Sequence, residues 1–392
     1  MTVIVDTDAL ADFCRRQGTV EYIAVDTEFI RDNSYWPRLC LVQIAGPDEA
    51  VVVDAEAQGI NLDPVLALFS DSKVLKVFHA ARQDLEIFFH MTGGLPRPIF
   101  DTQVAAMVCG FGEQASFETL ASKLAAVQID KSSRFTDWSH RPLSQRQIQY
   151  ALADVVHLRP IYEKLGPKLA QSGRAGWLDE EMATLTDPAT YRVEPGEAWR
   201  RLKVRAGKPR FLAVVRELAA FREEEAQRRD LPRNRLLRDE ALIEIAAHTP
   251  TTVDELARTR GLSRNLAQGR LGQGIIAAVE RALARPESEW PRPESKGELP
   301  PGLGPVVELL RVLLKTKCEA AGVAQKLVAS AADLELIAAD DTAPVPALSG
   351  WRRELFGEDA LALKHGRLAI TANGRRIEIV PLRSRARAAA SE

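Results

Sequence analysis

The sequence predicts a mixed α/β domain of about 170 residues followed by an all-helical remainder. Three observations predict it. Short β-rich apolar runs alternate with helical stretches up to about residue 165. From Trp199 onward such runs nearly vanish, and amphipathic helical patterns take over. The chain is 392 residues long, which is more than one hydrophobic core ordinarily serves.

Val3–Val5, Tyr22–Val25, Leu39–Ala45, Ala50–Val53 and Val74–Phe78 read as strands. Ala9–Gln17, Leu62–Phe69, Ala81–His90, Thr102–Cys109 and Phe117–Leu124 read as helices between and after them. Ser144–Leu165 reads as one long helix with Ser144 as its cap. Gly173–Gly196, with its Gly and Pro and the acidic Asp179–Glu181, reads as a joint. Beyond it, Lys208–Arg228 predicts a long amphipathic helix, and Asp239–Ala247, Thr252–Ala257 and Gly274–Leu283 predict shorter ones. Arg285–Pro301 is rich in Pro, Glu, Ser and Gly and reads as a linker. Pro305–Ala321, Ala331–Ala339 and Trp351–Phe356 predict a second helical set, and Arg383–Glu392 a frayed tail.

Composition narrows the class. Apolar residues are 46% and charged residues 27%, so a globular rather than a disordered chain is expected. The four cysteines, Cys14, Cys40, Cys109 and Cys318, form no CxxC pair, which argues against a disulfide scaffold or a Cys-rich zinc site and for a reducing compartment. There is no basic N-terminal region with a long apolar stretch and no apolar run of transmembrane length, so a cytoplasmic protein without a membrane partner is expected. No GxGxxG joins an early strand to a helix, which disfavours a Rossmann nucleotide fold, and no Walker A sequence is present. The formal net charge is -2, but it is unevenly spread: residues 1–190 carry 17 basic and 26 acidic side chains, and residues 191–392 carry 35 and 28. An acidic first half can hold cations and a basic second half can meet a polyanion; both can equally be solvated surface.

Four carboxylates carry the chemistry. Asp26 and Glu28 end the apolar run Tyr22–Val25, and residues two apart on a strand point to one side. Two acids there repel unless a cation lies between them. Asp84 opens the helix after Val74–Phe78, a position that the helix dipole alone can explain. Asp154 sits mid-helix among Ala151, Leu152, Ala153, Val155 and Val156, where an acid needs a partner. Tyr150 lies one helical turn earlier on the same face. Such a set can hold two hard divalent ions, about 3.5–4 Å apart, around a phosphodiester, with the phenol holding the attacking water in line.

The order and flanks of these residues resemble the ribonuclease D family, within the DEDDy group of 3′–5′ exonucleases. The resemblance rests on three segments: Ala24-Val-Asp-Thr-Glu-Phe-Ile-Arg31 continuing through Ser34-Tyr-Trp-Pro-Arg-Leu39; Lys76-Val-Phe-His-Ala-Ala-Arg-Gln-Asp-Leu85; and Gln147-Ile-Gln-Tyr-Ala-Leu-Ala-Asp154. Lys131–Leu143 is similar to the stretch preceding the third motif. The resemblance implies an RNase H-like (DnaQ-like) exonuclease core at 1–170, a linker at 171–198, an HRDC-like domain at 199–285, a linker at 286–302, a more divergent HRDC-like domain at 303–375 and a flexible tail at 376–392. It implies that Asp26, Glu28, Asp84 and Asp154 bind two divalent cations, Mg²⁺ or Mn²⁺, with Asp26 bridging them, and that Tyr150 positions the water. The implied substrate is RNA with a free 3′ end, above all tRNA precursors, trimmed to 5′-mononucleotides without an obligate protein partner.

Further residues are candidates for substrate contact. Tyr35, Trp36 and Arg38 can stack on a terminal base and hold a phosphate, or anchor a loop. His79 suits packing or a supporting role beside the acids; Gln83 can touch the nucleotide or cap its helix. Trp138 and Arg141 can line the substrate channel, or Trp138 can cover the helix start. Lys203, Arg205, Lys208 and Arg210 form a dense basic run that can follow an RNA backbone or face solvent. The same acids serve DNA exonucleases, since a 2′-hydroxyl contact is not readable from sequence. A non-catalytic RNA-binding protein is disfavoured because all four acids and Tyr150 are present.

Overall fold

The computed structural model describes residues 2–130, 133, 136–204, 207–292, 300 and 302–382. Strand β1 (Thr2–Ile4) and helix α1 (Thr7–Gln17) lead into β2 (Tyr22–Ile30), β3 (Arg38–Ala45) and β4 (Ala50–Asp54). Helix α2 (Asp63–Ser70), β5 (Leu75–Phe78), α3 (Arg82–Thr92), β6 (Ile99–Asp101), α4 (Thr102–Val108), α5 (Phe117–Leu120) and the long α6 (Gln145–Gln171) complete the first domain. The strands form one mixed sheet in the order β1-β4-β3-β2-β5-β6. β2 is its pivot, antiparallel to β3 and parallel to β5. This is the α/β exonuclease architecture expected.

The sheet explains its own hydrophobic pattern. β3 and β4 are buried nearly throughout because helices cover both faces. Ser144 caps α6 in a reciprocal capping box with Gln147, as the cap residue suggested. Two boundaries and one strand differ from expectation. β2 runs through Ile30, so Asp26 and Glu28 lie inside the strand rather than at its end. α6 continues to Gln171, carrying Pro160 and Pro167 within it. The short β6, set between Pro98 and a helix cap, has too few residues for a periodic signal.

The expected joint at 171–198 is not a linker. Helix α7 (Ala175–Leu185) buries Leu178 and Met182, and Trp177 stacks on Trp351 at 4.2 Å and 9°. Next come α8 (Pro209–Arg229), α9 (Arg233–Leu236), α10 (Asp239–His248), α11 (Val253–Leu256), α12 (Arg264–Gln268) and α13 (Arg270–Ala284), which enclose a core of their own. The second set comprises α14 (Gly304–Ala321), α15 (Gln325–Val328), α16 (Ala331–Ala339), α17 (Gly350–Arg352) and α18 (Glu358–Lys364). Its core is continuous with that of the first domain through α7. Arg352 joins this module to Glu180 at 2.5 Å and to Glu181.

The expected tail at 376–392 begins with a strand. β7 (Leu368–Asn373) and β8 (Arg376–Pro381) pair as a hairpin across Gly374, whose φ of 60° suits glycine. Residues 383–392, Lys131, Ser132, Arg134, Phe135, Arg205 and 293–299 lie outside the described residues. Among the described residues, no helix is long and apolar enough to cross a membrane.

Candidate active site

Asp26 and Glu28 project from one face of β2, opposite Gln43 and Leu41 of β3. The register slips between Glu28 and Phe29, because Leu39 and Leu41 take the two partners and Cys40 is the extra residue. Such a bulge bends the strand and re-aims the side chains beside it. α6 packs over this face, where Ile148, Ala151 and Leu152 meet Cys40, Leu41, Val52 and Trp138. That packing brings Asp154 onto the strand acids. One oxygen from each of Asp26, Glu28 and Asp154 lies within 4.8 Å of the other two.

Asp84 approaches separately. It lies buried in the first turn of α3, where its carboxylate accepts a hydrogen bond from the Thr27 hydroxyl. Thr27 alternates with Asp26 and Glu28 along β2, so Asp84 is tied to the residue between them. The cluster thus gathers three of the four expected acids, with Asp84 beside it.

Electrostatics mark the cluster as strained in the absence of a cation. Burial, then the Asp154 charge, pushes Asp26 well above the carboxylate range. Burial, then the Asp26 charge, does the same to Asp84. Glu28 is pushed up to about 10 by burial and then by Asp26, Asp154 and Asp84. Each acid holds its neighbours' protons on, and positive charge would reverse this.

A cavity of about 330 Å³ opens beside the acids. Asp26, Tyr150 and Asp154 line it together with His79, Gln103 and Phe117. Tyr150 and Asp154 therefore do share a face toward one space. His79 is half-buried, and burial holds its imidazole below its ordinary pKa. Its Nδ1 lies 3.0 Å from the Thr102 hydroxyl, which itself donates to the Phe78 carbonyl. The neutral ring therefore donates through Nδ1. Asp101 builds the turn below: its carboxylate accepts from the backbone N–H groups of Ala80 (3.0 Å) and Ala81 (2.9 Å) and also caps α4. That brace holds Ala80 at φ 59°, a left-handed conformation costly for a residue with a Cβ.

The remaining candidates go elsewhere. Tyr35 is 5% exposed, and its hydroxyl is bonded to Glu223 and accepts from Arg233 (2.9 Å) and Gln227 (3.2 Å). Of the two expectations for this loop, these bonds are those of an anchor for the first helical module. Trp36 stacks on His90 at 3.9 Å, and its backbone N–H, like that of Tyr35, donates to the Asp230 carboxylate. Arg38 pairs with Glu56 at the surface. Arg141 grips both oxygens of Asp54, at 2.6 and 2.7 Å, which fixes the loop before α6. Trp138 is 3% exposed and packs in the apolar layer beneath α6, its ring 6.0 Å from Tyr150. Gln83 is exposed on the first turn of α3. Lys203, Lys208 and Arg210 are exposed as well. Sequence reading missed Thr27 and Asp101, whose partners Asp84 and the Ala80–Ala81 backbone come from other elements.

Known proteins agree with this geometry. Residues 1–170 match the model of the 3′–5′ exonuclease family, and residues 211–279 match that of the HRDC domain. The chain is 49% identical over 381 residues to ribonuclease D of Acidiphilium cryptum, covering 97% of each chain. It is 51% identical over 384 residues to ribonuclease D of Jannaschia sp., covering 96% of this chain and 98% of that one. The crystal structure of Escherichia coli RNase D, described as an exoribonuclease involved in structured RNA processing, superposes with a TM-score of 0.80 at 30% identity, over 93% of this chain and 98% of that one. With acids, fold and near full-length similarity in agreement, the chain belongs to the ribonuclease D family of 3′–5′ exoribonucleases.

Proposed function

We propose that the chain trims extra residues from the 3′ ends of tRNA precursors by two-metal-ion hydrolysis at Asp26, Glu28, Asp84 and Asp154. The observation that carries this is the cluster of Asp26, Glu28 and Asp154 within 4.8 Å, opening on a cavity that Tyr150 also lines. The donor set is all oxygen and anionic, which fits hard cations such as Mg²⁺ or Mn²⁺. When bound, such ions would offset the repulsion among the acids, activate water and stabilise the departing 3′ oxygen. In this reading Asp26, Glu28 and Asp154 would hold such ions together, with Asp84 beside them. The Tyr150 phenol, one turn before Asp154, holds the attacking water in line with the scissile bond.

The helical modules present the RNA in this reading, and α14–α18 serve as a second, divergent HRDC-like module. In support, the likeness to the Escherichia coli enzyme covers 93% of this chain. Lys203, Lys208, Arg210, Arg258, Arg260, Arg264 and Arg270 are exposed on or beside the first one. A polyanion approaching an acidic cluster needs positive surface elsewhere.

A 5′-labelled single strand with a tRNA-like 3′ trailer should shorten in a ladder when Mg²⁺ is added. The same sequence closed into a circle should survive. Cutting of the circle, or shortening after exhaustive chelation, would overturn the reading.

A further inference from the structure

Gln43 is the odd residue of the core. It is fully buried on β3, and among the described residues neither its amide nitrogen nor its amide oxygen has a hydrogen-bond partner. Buried side-chain amides are nearly always hydrogen-bonded, and an unpartnered one weakens the fold. Its placement supplies a reason. Gln43 stands directly opposite Asp26 in the β2–β3 ladder, so the two side chains share the face that α6 covers. Its partner on the other side of the ladder is Val52, which is apolar. α6 lays Ala151 and Leu152 over a layer that also holds Trp138 and Tyr150. The carboxylate of Asp54, further along β4, is already gripped by Arg141. Of the two residues paired with Gln43 in the sheet, Asp26 is the polar one.

We infer that Gln43 is a positioning residue for Asp26, whose amide N–H is held in reserve to bond the ionised Asp26 carboxylate once a divalent cation gathers the acids. The inference rests on the reading of Asp26 as a metal ligand. An apolar residue of the same length would pack the site more comfortably in the metal-free protein. It would leave the loaded carboxylate without its donor. Partners of this kind orient metal-binding carboxylates, and their loss typically costs about 10–100-fold in metal affinity or activity.

The test uses the full chain with Gln43→Met and Gln43→Leu, which differ in shape but both lack the amide. Thermal melting of the metal-free proteins and titration calorimetry with Mn²⁺ are the two readouts, with activity against Mg²⁺ concentration as a third. Both variants should melt at or above the wild-type temperature. Both should bind Mn²⁺ about 10–100-fold more weakly, with a matching rise in the Mg²⁺ needed for half-maximal activity and an unchanged KM for RNA at saturating metal. Wild-type Mn²⁺ affinity in either variant would overturn the inference. So would lowered melting without a metal effect, which would make Gln43 a packing residue or a host for buried water. An Asp26→Asn control separates the two levels: if it binds Mn²⁺ like the wild type, the site assignment itself falls, and the role of Gln43 falls with it.

Discussion

Removing one oxygen, in Tyr35→Phe, should loosen the first helical module without touching the chemistry. The phenol is buried between the loop after β2 and α8, bonded to Glu223 and accepting from Arg233 at 2.9 Å and Gln227 at 3.2 Å. Burial, then the bond to Glu223, pushes its pKa up to about 12, so it stays a donor at neutral pH. Burial works to raise the Glu223 carboxyl, yet its bonds to Arg233 and Tyr35 outweigh that and hold it below its ordinary value. The lost hydrogen bond is therefore to an ionised, buried acceptor. Such bonds contribute about 1.5–3 kcal/mol each. Glu223 keeps Arg233 at 2.5 Å, so no uncompensated charge is left and the lower half of that range applies. Urea unfolding of the full chain should show the loss, and limited proteolysis near residues 31–37 should quicken. The kcat and KM for a short single-stranded oligonucleotide should stay at wild-type values. Unaltered stability with a raised KM would refute the argument and return Tyr35 to the substrate.

Asp26→Asn should nearly abolish cleavage while the protein stays folded, because one charged ligand leaves a cluster of mutually repelling acids; wild-type turnover would remove Asp26 from the site. Tyr150→Phe should lower kcat by about 10²–10⁴-fold with metal affinity unchanged, the expected cost of losing a group that positions water or a proton. A rise in KM alone would make Tyr150 a binding residue. The metal-free protein should lose stability as pH rises. Asp26, Glu28 and Asp84 have raised folded-state pKa values, so their contribution is fully present below their ordinary values of 3.8 and 4.5 and is lost as pH rises above them, for Glu28 on toward about 10. Melting curves should therefore fall between pH 5 and 8, and Mn²⁺ should raise melting more at pH 8 than at pH 6. A metal effect independent of pH would contradict the electrostatic coupling.

The acids were legible because chemistry constrains them locally. Asp26 and Glu28 need period-two spacing, and Tyr150 and Asp154 need one helical turn; both are short-range patterns. The helical character of the second half was legible for the same reason. What escaped depended on distant partners. For Tyr35 and Trp36, base stacking and loop anchoring were both open because their partners, Glu223 and Asp230, lie nearly two hundred residues away. Arg141 could be read as lining the substrate channel, but its guanidinium grips Asp54. The Gly and acidic residues of 171–198 suggested a joint, but Leu178 and Met182 pack into the core shared with the second module. The bulge at Cys40, which sets the aim of Glu28, has no sequence mark at all.

These long-range contacts tie recognition to chemistry. The first module meets the enzyme core at the loop that directly follows the strand bearing Asp26 and Glu28. α8 ends in Asp230 with φ 50°, a left-handed cap, and that turn aims the carboxylate at the backbone N–H groups of Tyr35 and Trp36, 3.0 and 2.9 Å away. Asn33 bonds to Arg235 of the same module. A chain cut near residue 200 would leave two backbone donors without their acceptor and expose the ring of Tyr35. Any loss of activity in that fragment would mix substrate recognition with disorder at the end of β2. Exposed arginines such as Arg258 and Arg264 stand apart from this joint, so substituting them changes the charge offered to RNA while the Asp230 cap keeps its hold on the catalytic strand.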